Sequence, residues 1–141
     1  MSVFLDTSVL LKLYLPETDS AAYEARIDQV GGLIVISMLA HVEFASAALK
    51  KVRVGTISLE DAQLAISDFT EDGALYQWVR LTDDLVVDAQ HLINRHYLAG
   101  LRTLDALQLA AALTVRKEVQ LFLTADARLE AIFAQEGLPV R

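Results

Sequence analysis

The sequence predicts an α/β fold, a single domain over residues 1–141 with a mostly parallel central sheet flanked by helices. Short apolar runs such as "LIVIS" alternate along the chain with stretches of helical spacing. A length of 141 residues is in the usual range for one domain with its own core. No linker, repeat or low-complexity segment interrupts the alternation, so one compact unit is expected.

Four segments are predicted to be the strands. In chain order they are residues 2–6 ("SVFLD"), 33–37 ("LIVIS"), 75–81 ("LYQWVRL") and 119–124 ("VQLFLT"). The second of these, "LIVIS", is a fully apolar, β-branched run typical of a parallel strand. Parallel sheets bind ligands beyond the carboxyl ends of their strands, so the residues that follow each run are of most interest.

Seven segments have the spacing of helices. They cover residues 7–15, 18–30, 38–54, 59–72, 83–97, 103–117 and 127–137. Pro16 ends the first segment, and Gly31 and Gly32 end the second. Ser37 is predicted to cap the third helix, and Ser58, with Asp61 three residues later, to cap the fourth.

Composition and charge exclude several classes of protein. The absence of cysteine and of an early basic-then-apolar segment predicts the reducing cytoplasm. Apolar stretches such as "LAAAL" are far shorter than the roughly 20 residues that span a bilayer, so a soluble protein is expected. A net charge of -7 argues against nucleic-acid binding by broad phosphate neutralisation. A bound cation can still reverse the sign of an acidic pocket.

Four acidic residues are candidates for such a pocket. Asp6 directly follows "VFL", and Asp126 follows "LFLT" after one alanine, so both are predicted at the carboxyl edge of the sheet. Glu43 and Asp105 lie in apolar helical segments. Taken singly, Asp6 fits a strand-to-helix turn, Asp126 an N-cap and Asp105 a favourable position near a helix dipole. Glu43 needs a partner unless it faces water.

If the four carboxylates converge, their repulsion raises some of their pKa values unless a cation is present. The nearest basic residues in sequence are Lys12, Arg102 and Arg128. Carboxylates with retained water suit Mg²⁺ or Mn²⁺, whereas zinc prefers histidine and cysteine. His41, His91 and His96 lack a zinc-site spacing and are expected to be structural or surface residues.

"FLDTSVLL", the acid in the helix after the second strand, "LRTLDALQLAAAL" and "FLTAD" together resemble the PIN-domain ribonucleases, particularly the VapC-like toxins of toxin–antitoxin pairs. The resemblance spans nearly the whole chain and implies a single PIN-like domain that hydrolyses RNA with Mg²⁺. It implies that the acidic quartet of catalytic and metal-binding residues is Asp6, Glu43, Asp105 and Asp126. It further implies that three hydroxyl residues orient this quartet: Thr7, Ser8 and Thr124.

Within this hypothesis, Asp6 and Asp105 are the first choices for direct metal ligands. Three roles stay open for Glu43 and Asp126. They bind a second ion, hold water molecules that are bound to the metal, or help to deprotonate the attacking water. Arg102 and Arg128 are candidates to contact RNA phosphates, with a surface role as the alternative. The resemblance also implies a cognate antitoxin and a homodimer, for which the apolar helices offer surface.

Two rival interpretations are weaker. Phosphoryl-transfer enzymes and response-regulator receivers also place an aspartate after the first strand, but here the sequence lacks a D-x-D motif and has "TAD" where a receiver has lysine. A PIN-like RNA-binding or scaffold module without catalysis is the second rival. The presence of all four acids argues against it.

Overall fold

The structure is a computed structural model that describes residues 1–141. The strands are β1 (Ser2–Leu5), β2 (Leu33–Ser37), β3 (Gln77–Val79) and β4 (Leu121–Leu123). The α-helices are α1 (Thr7–Lys12), α2 (Ser20–Val30), α3 (Ala40–Arg53), α4 (Leu59–Glu71), α5 (Asp83–Arg95), α6 (Thr103–Thr114) and α7 (Ala127–Gln135). Two short 3₁₀ helices, Asp72–Leu75 and Tyr97–Ala99, precede β3 and follow α5.

The four strands form one sheet in the order β3-β2-β1-β4, and every neighbouring pair is parallel. The predicted α/β fold is therefore confirmed, and the sheet is wholly parallel. β1 lies between β2 and β4, with Phe4 opposite both Val35 and Phe122. Because parallel strands place their carboxyl ends at one edge, the residues after β1 and β4 meet there.

Helices cover both faces of the sheet and form two cores. Side chains alternate along a strand, so Phe4 and Phe122 pack on the face covered by α5, α6 and α7. Leu5 and Leu123 pack on the opposite face, against α1, α3 and α4. All four side chains are fully buried. This double burial explains why β1 and β4 are apolar without alternation.

Several predicted boundaries were too long. β3 covers only residues 77–79 of the predicted 75–81, because residues 72–75 form a 3₁₀ turn. α6 ends at Thr114 rather than at residue 117, and α2 begins at Ser20 rather than at residue 18. The helix predicted over 83–97 ends at Arg95, before the second 3₁₀ turn.

The capping predictions had mixed outcomes. Ser58 does cap α4, since its side chain accepts a hydrogen bond from the Asp61 backbone N–H. The cap predicted for Ser37 was wrong, because α3 starts later and Leu39 is its N-cap residue. Ser37 Oγ accepts instead from the Leu39 N–H at 3.1 Å, within the turn before the helix.

Gly32 allows β1 and β2 to pair at their amino ends. A Cβ at this position would lie 1.7 Å from the Met1 carbonyl oxygen, which no side chain tolerates. The same carbonyl accepts a hydrogen bond from the Leu33 N–H. Gly31 thus ends α2, and Gly32 leaves room for the backbone of Met1 directly before β1.

Helix α6 is mainly internal, whereas α3 buries one face. Leu109 and Ala111 of α6 and Phe44 of α3 have no exposed surface. Exposed apolar residues are spread over the chain, and those just before and at the start of α6 include Leu98, which is 87% exposed, and Leu104, which is 50% exposed. No helix combines the length and the apolar character that a membrane span requires.

Candidate active site

The pairing of β1 with β4 brings together the residues that follow the two strands. Leu5 lies opposite Leu123, and the Asp6 N–H donates to the Leu123 carbonyl at 3.1 Å. Asp6 and Thr124 are therefore neighbours directly beyond the last paired residues. The side-chain hydroxyl of Thr124 donates a hydrogen bond to Asp6 Oδ2 at 2.5 Å.

Asp6 is the most buried of the four acids, with only 5% of its surface exposed. Its Oδ1 accepts from the Ser8 hydroxyl at 2.6 Å and from the Val9 N–H at 3.2 Å, which caps α1. Asp6 therefore has the role in a strand-to-helix turn that the sequence allowed for it. Its second carboxylate oxygen, Oδ2, accepts the hydrogen bond from Thr124. These contacts fix the carboxylate in one orientation.

The pKa of Asp6 reflects this burial. Removal from water raises the pKa of the carboxyl from 3.8 to about 6, in spite of opposing hydrogen bonds from Ser8, Thr124 and the Val9 N–H. The negative charge of Glu43 adds to the increase. The pKa of Asp6 is thus closer to neutral pH than that of an exposed aspartate, as is common for buried carboxylates with acidic neighbours.

Asp126 caps the last helix. Its Oδ1 accepts from the Leu129 N–H at 2.9 Å, while its own N–H donates to Thr124 Oγ1 at 3.1 Å. The Thr124 hydroxyl therefore connects two acids, because it donates to Asp6 and accepts from the backbone of Asp126. Ser8 has an equivalent position, since its Oγ accepts from the Ala125 N–H at 2.9 Å.

Glu43 lies in the first turn of α3 and is half-buried. Its Oε1 accepts from the Thr7 hydroxyl at 3.0 Å and from the Gln108 amide nitrogen at 2.6 Å. Burial raises the pKa of Glu43, the two hydrogen bonds lower it, and the negative charge of Asp105 raises it. Glu43 thus has the polar partners that its apolar sequence context requires.

Asp105 lies in the first turn of α6, with 27% of its side chain exposed. Its Oδ2 is 3.6 Å from Arg102 Nε, and Arg102 Nη2 is 3.8 Å from Asp126 Oδ2. Burial raises the pKa of Asp105, the positive charge of Arg102 lowers it, and the negative charge of Asp126 raises it. Arg102 itself is 72% exposed, so water weakens both ion pairs.

The four acids form an electrostatic series. Asp6 and Glu43 repel each other, as do Glu43 and Asp105, and Asp105 and Asp126. Arg102 and Arg128 are the positive groups that act on Asp105. Because four carboxylates outnumber two exposed guanidinium groups, the carboxyl edge of the sheet has an excess of negative charge even though Arg102 lies within it.

The donor set fits a hard divalent cation in its chemistry, since it offers carboxylate and hydroxyl oxygens without cysteine or a nearby histidine cluster. No group of three or more acidic, histidine or cysteine side chains is arranged in this structure to bind one ion. Mg²⁺ commonly needs only one or two protein carboxylates, with water and substrate phosphates completing its shell. The residues present therefore fit an Mg²⁺ or Mn²⁺ ion that is held by one or two carboxylates and by water. They do not form a cage in which the protein supplies every ligand.

The structure brings all seven residues of the sequence hypothesis to one edge of the sheet, and their roles as catalytic or metal-binding groups stay predictions. Thr7 contacts Glu43, whereas Ser8 and Thr124 contact Asp6. Sequence reasoning missed Gln108, a polar residue 2% exposed on the otherwise apolar α6. Its spacing of three residues from Asp105, on the same helical face, was the available signal.

The histidines lie outside this site, as expected. His96 is buried and its Nε2 is 3.1 Å from Glu136 Oε1. His41 is exposed and stacks on Trp78 with ring centroids 4.1 Å apart. His91 is also exposed.

Residues 3–133 match the family model of the PIN domain. This match covers nearly the whole chain, so the chain belongs to the PIN domain family, as the sequence motifs predicted. No curated protein sequence matches the chain.

Solved structures with the same fold include proteins of three bacteria described below. VapC20 of Mycobacterium tuberculosis, described as a sarcin–ricin loop cleaving toxin, has a TM-score of 0.68 at 18% identity, over 92% of this chain and 94% of that chain. VapBC2 of Rickettsia felis, bound to a DNA fragment of its promoter, has a TM-score of 0.68 at 14% identity, over 100% of this chain and 98% of that one. VapBC-1 of nontypeable Haemophilus influenzae has a TM-score of 0.66 at 17% identity, over 100% and 97%. At these identities the similarity shows a shared fold.

Proposed function

We propose that this chain is an Mg²⁺-dependent endoribonuclease. The observation that carries the proposal is the grouping of four mutually repelling carboxylates at the carboxyl edge of a parallel sheet in a PIN-family chain. Parallel sheets bind their ligands at this edge. Carboxylates that repel one another favour the binding of a cation that neutralises them.

The residues proposed to hold the ion are Asp6 and Asp105, with Glu43 and Asp126 completing the site. These residues would hold the ion, which would supply positive charge for the developing negative charge of the reaction and for lowering the pKa of a water molecule. Mn²⁺ has similar preferences for oxygen ligands and is expected to substitute for Mg²⁺.

This chain's own residues have separate tasks in the proposal. Asp6 is fixed by Ser8 and Thr124, and so it presents its carboxylate in a constant orientation. Glu43 is half-buried with a raised pKa, and a carboxylate of higher pKa is a better proton acceptor near neutral pH. Arg102 and Arg128 are proposed to contact RNA phosphates beside the acids, since arginine suits bidentate phosphate binding.

Cleavage of RNA by the purified chain, with Mg²⁺ and with EDTA, tests the activity. We expect cleavage only with the metal, and its loss in Asp6→Asn and Asp105→Asn, because losing a hard ligand removes several kcal/mol of metal-dependent stabilisation. Asp68→Asn, an exposed substitution on α4, is the matched control and is expected to cleave normally. Near-normal cleavage by either site variant contradicts the assignment.

The rival function is that of a PIN-like module that binds RNA or acts as a scaffold without catalysis. RNA that is retained by the protein but remains intact in the presence of Mg²⁺ would favour this rival. The presence of all four acids, with Asp6 held by several hydrogen bonds, argues for catalysis.

We also propose that the chain is the toxin of a toxin–antitoxin pair and acts in the cytoplasm. The solved structures of the same fold include a toxin and two VapBC complexes, which supports this biological role. Sequencing the RNA ends that appear after brief expression, compared with Asp105→Asn, is expected to show a small set of new ends. No new ends would count against the role.

The proposed partners are a cognate antitoxin and a second copy of the chain. Leu104 exposes apolar surface beside Asp105, and Tyr97 and Leu98 are exposed in the 3₁₀ turn before α6, so a hydrophobic segment with a basic side chain would match both features. Co-purification with the product of the neighbouring reading frame tests the antitoxin, and light scattering tests the homodimer. A monomer at high micromolar concentration with no encoded partner would contradict this part and leave the ribonuclease proposal intact.

A further inference from the structure

Gln108 is a buried polar residue in the middle of an apolar helix. Its amide nitrogen donates to Glu43 Oε1 at 2.6 Å and to Thr7 Oγ1 at 3.2 Å. Its amide oxygen is buried and has no hydrogen-bond partner. The two ends of the same amide are therefore unequally satisfied.

The orientation of this amide depends on the Glu43 carboxylate. In the reverse orientation the amide oxygen would face Glu43 Oε1, and two acceptors would meet without a proton between them. The observed orientation avoids that contact but leaves the amide oxygen unpaired. Buried amide oxygens nearly always have a partner. The unpaired oxygen of Gln108 therefore indicates that the hydrogen bond to Glu43 determines the orientation of the amide.

Packing alone does not account for a glutamine here. Gln108 lies among Leu109, Ala110 and Ala111, all of which are buried apolar residues of α6. An apolar side chain of similar volume would fill the same space without an unpaired oxygen. What such a side chain lacks is a donor for Glu43.

The contact also connects the two helices that carry acids of the site. Glu43 belongs to α3, while Gln108 lies three residues after Asp105 on α6, so both face the same side of that helix. Thr7 donates to the same oxygen of Glu43, at 3.0 Å. Both donors therefore hold Oε1, and the other carboxylate oxygen, Oε2, has no protein donor.

We propose that Gln108 is a positioning residue, which fixes Glu43 through Oε1 and keeps Oε2 free for the proposed reaction site. The inference rests on the proposed ribonuclease function for its consequence, whereas the contact itself can be measured without metal or RNA. Gln108 would not touch the substrate. Its effect on the reaction would pass through Glu43.

The first test measures the contact in the metal-free protein. NMR of the side-chain amide of Gln108, with EDTA present, is expected to show a downfield, slowly exchanging proton in the wild type. Glu43→Gln replaces the charged acceptor and should move this resonance towards those of exposed glutamines such as Gln90. A Gln108 resonance that is already like that of Gln90, or that does not change in Glu43→Gln, overturns the proposal.

The second test measures the consequence for cation binding by a double-mutant cycle. Gln108→Met preserves the side-chain volume and is expected to weaken Mn²⁺ binding, measured by calorimetry, by about 10- to 100-fold. In a Glu43→Gln background the same substitution should change the affinity less than twofold. Equal losses in the two backgrounds would show that Gln108 does not act through Glu43.

Two controls separate this proposal from the proposed function. Gln90→Met makes the same exchange at an exposed position of the neighbouring helix α5 and is expected to leave Mn²⁺ affinity unchanged. A wild-type protein that neither binds Mn²⁺ nor cleaves RNA contradicts the proposed function. The metal-free NMR measurement would still decide whether Gln108 holds Glu43.

Discussion

Thr124 Oγ1 lies 2.5 Å from Asp6 Oδ2 and also 3.1 Å from the backbone nitrogen of Asp126. Through this one hydroxyl, the end of β4 supports the acid that follows β1 and the acid that begins α7. Thr124 is 2% exposed and its contact with Asp6 is buried, so water does not replace that contact when it is lost. The support of Asp6 thus depends on a residue from the far end of the sequence.

Thr124→Val should therefore destabilise the protein although the two side chains have almost the same shape. The substitution leaves the buried Asp6 Oδ2 without this donor, which costs about 1–3 kcal/mol, and it also removes the partner of the part-buried Asp126 N–H. Chemical denaturation should show the loss. Thr124→Ser keeps the hydroxyl and is the control, expected to retain most of the stability. Equal losses in both variants would mean that the methyl group matters and not the hydrogen bonds.

The second prediction concerns the pH dependence of the stability without metal. The pKa of Asp6 is about 6 in the folded protein against 3.8 ordinarily, so the folded state binds the proton more tightly. The contribution to the free energy of unfolding is therefore complete below pH 4 and is lost as the pH rises through 6. At about 1.4 kcal/mol for each pKa unit, the full change is about 3 kcal/mol.

Comparison with Asp6→Asn isolates this contribution. Asparagine cannot ionise and is also a good N-cap residue, so it retains a role at the start of α1. In EDTA, the melting temperature of the variant relative to the wild type should rise between pH 4 and pH 7. Glu17 and Glu136 have lowered pKa values and act in the opposite direction, but they are present in both proteins and cancel in the difference. A difference that stays constant with pH would refute the assigned shift.

The third prediction is that Mg²⁺ or Mn²⁺ raises the melting temperature. A cation that binds only the folded state stabilises it by mass action, by about 2.7 kcal/mol at a concentration one hundred times the dissociation constant. The increase should be much smaller in Asp105→Asn, which lacks a proposed ligand. Asp68→Asn is again the control. Equal increases in the wild type and Asp105→Asn would place the ion elsewhere in the protein.

Part of the site could be predicted from the sequence, because the positions of two of its acids follow directly from the strands that precede them. Asp6 and Asp126 follow apolar runs, and once those runs are parallel strands, their carboxyl ends must meet. Glu43 and Asp105 were candidates because they are acids in apolar helical segments, but their convergence with the other two acids came from the resemblance to the PIN family, since nothing local requires two separate helices to face one edge. The fold class followed from the alternation of strands and helices.

Other features depend on the three-dimensional arrangement. The contact between Gln108 and Glu43 joins residues 65 positions apart, and no spacing along the chain predicts it. The Ser37 cap failed for a different reason, since one further turn of backbone separates β2 from α3 and takes the serine out of the N-cap position. Apolar residues of α6 were expected to offer partner surface, yet most of that helix packs internally.

The last prediction concerns Arg102, whose guanidinium lies between Asp105 and Asp126 at 3.6 and 3.8 Å. A positive group in this position competes with a metal ion for the same carboxylates. Because Arg102 is 72% exposed, each ion pair is worth only about 0.2–1 kcal/mol. Arg102→Gln should therefore tighten Mn²⁺ binding to the RNA-free protein by about two- to fivefold, as measured by calorimetry.

The same substitution should have the opposite effect on RNA. If Arg102 contacts a phosphate, its loss raises KM for RNA and reduces the salt dependence of binding, while kcat at saturating RNA and Mn²⁺ changes little. Arg53→Gln, in the last turn of α3 and thus at the other end of the helix from Glu43, is the control for a change of net charge alone. Tighter Mn²⁺ binding in both variants would indicate a general charge effect. Weaker Mn²⁺ binding in Arg102→Gln would show that the guanidinium orients the carboxylates and does not compete for them.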